Sequence, residues 1–154
     1  MRKLLALVLV LALAACASPD LDSPEGTTEE FFNRLEDQDE DQVQDLLCSE
    51  FHKNLNFALA KGAKAELKFD LHYNIPDDYD EETADTVNVE VWGTVESKLE
   101  NNDIKVETKE KRERDAAWTV VAFKEAGEWK VCGGTEAPLI LRFLDLRAQT
   151  ENLK

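Results

Sequence analysis

A chain of 154 residues with 33 acidic and 18 basic side chains carries a formal charge of −15. That excess repels phosphate backbones and sets nucleic acid aside as a partner, leaving cations, basic peptides or neutral ligands. Hydrophobic residues make up 43% of the sequence and three of them are tryptophans, too apolar for a disordered acidic tail and sufficient for one folded domain.

The first residues are two cations, Arg2 and Lys3, then an unbroken apolar run over 4–13 and small residues up to Cys16. This is the three-part layout of a secretory leader, and the run is shorter than the ~20 apolar residues of a spanning helix. Leu13-Ala14-Ala15-Cys16 resembles the lipobox of bacterial lipoproteins. The resemblance implies that 1–15 is a signal peptide, that Cys16 is lipidated with palmitate-type chains, and that 16–22 is the tether of an extracytoplasmic protein. Ala17, rather than an aspartate, after the cysteine points by analogy with envelope sorting to the outer membrane of a double-membraned cell. If Cys16 carries lipid, Cys48 and Cys132 remain. An even remainder in an oxidising compartment suggests a disulfide, with two buried thiols as the alternative. Neither cysteine has a second Cys or a His at ligand spacing, so no metal is expected there.

Ala17 to Asp22 shows no packing pattern. Ser23-Pro24 then reads as a helix entry, Ser as cap and Pro at the first helical position, with Thr27-Thr28-Glu29-Glu30 as a second possible start. Phe31, Phe32 and Leu35 share one face of that helix. The acidic stretch 37–41 breaks it, and a short second helix follows with Val43, Leu46 and Leu47 inward. Ser49 caps a predicted third helix over 50–61, ended by Gly62.

The period then changes to two. Leu67, Phe69, Leu71 and Tyr73 alternate with Glu66, Lys68, Asp70 and His72, a strand with one wet face. An acidic loop over 74–85 leads to Val87, Val89, Val91 and Val95 on one face of a second strand, with Trp92 on the other and Gly93 marking a bulge or bend. Asn101-Asn102-Asp103 signals a hairpin turn. The return strand starts at Ile104 and runs into alternating charges over 109–115, read as an exposed hairpin end. Strands at 118–123 and 129–132 follow, turned at Ala126-Gly127. Pro138 opens a predicted C-terminal helix with a wide apolar face that includes Leu139, Ile140, Phe143 and Leu144.

Helices first and antiparallel hairpins after them predict an α+β fold, helices packed on one face of a curved sheet with an added C-terminal helix. At this point the chain resembles the nuclear transport factor two-like superfamily, the cone fold also found in ketosteroid isomerase. The likeness rests on Ser23-Pro24-Glu25 through Phe31-Phe32-Asn33-Arg34-Leu35, on the short helix at 43–47, and on Gly127-Glu128-Trp129-Lys130-Val131-Cys132-Gly133 as a closing strand. It covers 23–133 and leaves 134–154 as a helical extension. In small lipoproteins of that superfamily a cysteine after the first helices and one in the last strand can pair, which supports Cys48 with Cys132. No catalytic motif of the isomerases matches, so no catalytic residue and no cofactor is assigned.

Asp70 and His72, two apart on a wet strand face, are the strongest pair for proton transfer, although alternation alone also places such residues in solvent. The acidic loop has carboxylates for a hard cation but lacks the glycine and the closing glutamate of an EF-hand. Trp92 faces away from the valines and, with Asp70 and His72, marks a pocket or partner face. The expectation is a lipid-anchored, non-catalytic binding or assembly module of the cell envelope. It would take a protein partner, a small apolar ligand or a second copy of itself. An isomerase- or dehydratase-type enzyme is the alternative.

Overall fold

The structure, a computed structural model, describes residues 19–52, 64–80, 83–101 and 104–133. Cys16 and the leader, the body of the predicted third helix and the predicted C-terminal helix lie outside the described residues. Among the described residues two α-helices, α1 (Pro24–Asp37) and α2 (Glu40–Leu46), precede five strands: β1 (Lys64–Asn74), β2 (Thr86–Asn101), β3 (Ile104–Arg112), β4 (Trp118–Glu125) and β5 (Glu128–Val131). All strand pairs are antiparallel. The result is an α+β half-barrel, with the helices on the concave face of a curved sheet. Among the described residues no helix is long and apolar enough to cross a membrane.

α1 begins where the sequence indicates. Ser23 caps it, its hydroxyl oxygen accepting the Gly26 N–H at 3.0 Å, and Pro24 occupies the first turn where no N–H is needed. Gln38 closes it in the left-handed region, φ 57°. The approach to α1 is where structure departs from sequence. The segment 17–22 has no apolar periodicity, yet Asp20–Ser23 is clamped to the first turn. The Ser23 N–H and hydroxyl both donate to the Asp20 carbonyl, at 3.1 and 2.8 Å, and the Thr27 hydroxyl donates to the Leu21 carbonyl at 3.2 Å. Gly26 allows the approach, since a Cβ there would run into the Asp20 carbonyl. These bonds are made by backbone and hydroxyl groups, which hydrophobic patterning does not register.

β2 is the spine of the sheet. One edge pairs with β1 along its length, from Lys64 opposite Glu100 to Asn74 opposite Glu90. The other edge is shared: β4 pairs with Thr86 to Val91, and β3 pairs with Gly93 to Asn101. Trp92 stands at the hand-off. Gly93 beside it has φ 130°, a conformation closed to side chains, and a Cβ there would strike the Asp70 carbonyl on β1. Of the bulge or bend inferred from a mid-strand glycine, no bulge forms in the β1–β2 ladder, which pairs residue for residue through Gly93. A 3-10 turn, Arg114–Ala116, carries the chain round the same corner from β3 to β4.

Alternation decides which side chains enter the core. Val87, Val89, Val91 and Val95 of β2, Trp118, Val120 and Ala122 of β4, and Trp129 and Val131 of β5 are buried against Phe31, Phe32 and Leu35 of α1 and Val43 of α2. Each buried valine, leucine or phenylalanine contributes roughly 1.5–3 kcal/mol on removal from water. Leu71, Phe69 and Tyr73 of the edge strand β1 are only half-buried, and Phe32 packs edge-on to Phe69 at 5.3 Å between ring centroids. The acidic loop is pinned, because Ile75 and Tyr79 pack against the core and Tyr79 meets Trp129 at 6.3 Å.

Cys48 and Cys132 form a disulfide pair, their α-carbons 5.1 Å apart and 84 residues apart in sequence. The same place is stitched by the Cys48 N–H to the Val131 carbonyl at 2.9 Å, and by Ser49, whose N–H and hydroxyl donate to Glu125 at 3.2 and 2.7 Å. The link therefore joins the end of the helical layer to the last strand.

Candidate functional site

Three of the residues singled out from sequence lie on the convex face, opposite the helices. Asp70 and His72 are exposed on β1, opposite Thr94 and Trp92 respectively. Because His72 and Trp92 are direct cross-strand partners, their rings stack at 5.6 Å between centroids with 30° between planes. From the other edge of β2, the 3-10 turn after β3 sets the Arg114 guanidinium 5.3 Å from the indole centroid. A tryptophan on the solvent side of the sheet is thus flanked by an imidazole from one edge and a guanidinium from the other. Trp92 is half-buried, and a cation on a surface indole is worth about 0.5–1 kcal/mol, enough to order the side chains without fixing them rigidly.

Asp70 shares this face but is not joined to His72 by any hydrogen bond or ion pair among the described residues. Glu90, next along β2, accepts the Asn74 side-chain amide at 3.1 Å. Away from the stack the convex face carries matched charges. Lys109 bonds Glu96, opposite it, and holds that carboxylate below its ordinary value. Lys111 pairs with Glu113 at 2.8 Å, which lowers the carboxylate and raises the ammonium.

Sequence missed Arg114, whose role depends on a corner that brings it beside Trp92. It also read 109–115 as a uniformly exposed hairpin end. Lys109, Lys111 and Glu113 fit that, but Glu110 and Arg112 are half-buried on the concave face. Arg112 bonds Glu110 at 3.1 Å and lies 5.1 Å from the buried Trp118 ring. The concave face otherwise holds core, including Trp118 and Trp129.

Among the described residues Tyr73, facing the helices beneath Phe32, is the one strongly perturbed group. Burial, then the carboxylates of Glu29 and Glu36, push its hydroxyl far above the usual tyrosine value. His52 is half-buried, its Nε2 2.9 Å from the Leu47 carbonyl, which is a fastening at the start of the predicted third helix. Among the described residues no three His, Cys, Asp or Glu side chains gather closely enough to hold a metal ion.

Chemically, the convex face offers aromatic surface, a guanidinium beside it and hydrogen-bonding groups, all on the water side of the sheet. General acid–base and oxyanion catalysis gain most where water is excluded and dipoles are preorganised. Asp70 and His72 are both exposed, and among the described residues nothing encloses them. No family model, curated protein or solved structure matches this chain.

Proposed function

We propose that this chain is a lipid-anchored, extracytoplasmic lipoprotein whose half-barrel acts as a non-catalytic binding module, with Trp92, His72 and Asp70 on the partner-facing surface. The observation that carries the reading is the His72–Trp92–Arg114 stack on the water side of the sheet. Nothing in the core requires a tryptophan there, and Trp and Arg are the residues that most often dominate binding interfaces. The Cys48–Cys132 pair supports an oxidising compartment, and the leader ending in Cys16 supports anchoring through lipid at that residue, in the outer membrane of a double-membraned cell. Two helices followed by a curved antiparallel sheet support a nuclear transport factor two-like domain.

Two measurements test this. Mass spectrometry of the full chain from a bacterial envelope should find Cys16 acylated, and Cys16→Ala should abolish the acyl mass and release the protein from membranes. A photo-crosslinking amino acid at Thr94, on the same face as Trp92, should give a discrete adduct in cells that disappears with Trp92→Ala. Loss of a defined turnover activity on Asp70→Asn and His72→Ala, with no adduct at position 94, would replace binding with catalysis.

A further inference from the structure

The clamp on Asp20–Ser23 limits how the domain can stand relative to an anchor at Cys16. Only Ala17, Ser18 and Pro19 separate Cys16 from Asp20. Four residue steps, fully extended, span roughly 14 Å at most. From Asp20 onward the chain is part of the fold, held by the Asp20, Leu21 and Ser23 bonds to the first turn of α1. The start of α1 is therefore confined to within about that distance of the lipid-bearing residue.

The direction of α1 says which part of the sheet goes with it. Near the helix's carboxyl end, Glu36 accepts the Phe69 N–H at 2.8 Å, while Phe32, one turn earlier, reaches on to Tyr73 at 6.2 Å. Moving back along α1 thus moves forward along β1, toward the end of the sheet that holds residues 75–80 and 83–85, the start of β2 and the Ala126–Gly127 turn between β4 and β5. The β2–β3 hairpin projects the opposite way. From Thr86 to Lys98, β2 runs twelve residue steps, about 40 Å if straight and somewhat less in a curved sheet.

We infer that the loop end of the half-barrel is the surface that meets the headgroup layer of the membrane holding Cys16, with the β2–β3 hairpin directed away from it. This rests on the lipoprotein reading above. The occupant is fixed by tether length, and the charge of the surface sets the depth. Asp20, Asp22 and Glu25 beside the anchor and Asp77, Asp78 and Asp85 in or beside the loop are all acidic. Such a surface rests at the headgroups and does not sink between them, and anionic lipid pushes it outward over a Debye length of about 8 Å at physiological salt. The short tether keeps the loop end beside the membrane, and the acidic foot keeps that end from sinking into the headgroups.

The test uses the full-length acylated protein in phosphatidylethanolamine vesicles carrying a headgroup-level acceptor dye. The Cys48–Cys132 bridge is kept closed, and a donor is placed on Asp78→Cys or, separately, on Lys98→Cys. Transfer from position 78 should exceed that from 98 several-fold. A flexible Gly/Ser insertion between Ala17 and Ser18 should lower transfer at 78. Equal transfer from the two positions in acylated protein overturns the pose while leaving the anchor intact. Unchanged transfer at 78 after the insertion overturns the claim that tether length sets it. Protein without acyl mass at Cys16 overturns the anchor, and the pose with it.

Discussion

Replacing Gly93 by alanine tests the corner on which the candidate site depends, and Gly127→Ala supplies the matched control. Both glycines have positive φ, 130° and 91°, so alanine at either brings backbone strain of order 1–3 kcal/mol. They differ in surroundings. A Cβ at Gly127 meets nothing within 4 Å, whereas one at Gly93 strikes the Asp70 carbonyl and lies 3.0 Å from the Leu71 α-carbon. Backbone cannot rotate aside as a flexible side chain can, so β1 and β2 must part at their centre, an overpacking cost of roughly 1–3 kcal/mol on top of the strain. Urea unfolding should therefore place Gly93→Ala about 2 kcal/mol below Gly127→Ala, or about 1 M in midpoint at ordinary slopes. Near-ultraviolet circular dichroism should also change for Gly93→Ala, because Trp92 adjoins it. Equal losses in the two variants would mean that β1 does not approach β2 closely at Gly93, and the register that sets His72 on Trp92 would fall with it.

Other expectations follow from the same contacts. Cys48→Ser/Cys132→Ser should lose about 4–5 kcal/mol if the 84-residue loop is free in the unfolded chain, and adding reductant to the native protein should reproduce that loss in urea unfolding; no effect of reductant would remove the bridge from the account. Tyr73 is held neutral in the fold above its ordinary value of 10.0, so above pH 10 the unfolded chain releases a proton that the native state keeps. Stability from this group is intact below pH 10 and falls above it by about 1.4 kcal/mol per pH unit. Tyr73→Phe should remove that share of the alkaline slope, and an unchanged slope would contradict the burial of the hydroxyl. Arg114→Ala should alter Trp92 fluorescence with stability changed by less than about 1 kcal/mol; a large destabilisation would make the stack part of the fold's support and weaken its case as a partner surface.

What the sequence made legible follows from periodicity. Val87, Val89, Val91 and Val95 repeat every second residue, and the sheet buries that series; Phe31, Phe32 and Leu35 repeat at helical spacing, and α1 buries them. Ser23 and Pro24 carry their own stereochemistry and mark the helix start. Local pattern fails where a residue's surroundings are set by distant chain. Arg112 and Lys111 are neighbours in one charge run, yet one lies over Trp118 on the concave face and the other pairs with Glu113 in water. Tyr79 sits in an acidic loop whose composition predicts solvent, and an aromatic contact with Trp129 pins it. Asp20–Ser23 has no apolar spacing at all, since hydroxyl and carbonyl bonds hold it.

The position of the candidate site has a topological cause. A strand that gives its whole second edge to one neighbour has no natural corner, but β2 divides that edge between β4 and β3. At the division the sheet needs a residue without a side chain toward β1, which is Gly93, and a turn to carry the chain between the two partners, which is Arg114–Ala116. The residue before the glycine points to the convex side and finds β1 on one hand and the turn on the other. Trp92 thus occupies the place on the outer face where three segments converge, and His72 and Arg114 come to it from opposite edges. The corner itself is made by Gly93 and the Arg114–Ala116 turn, and Trp92 adds a half-buried aromatic ring to the outer face. That aromatic surface on the water side is the ground for proposing recognition on the convex face, while the concave face holds the core.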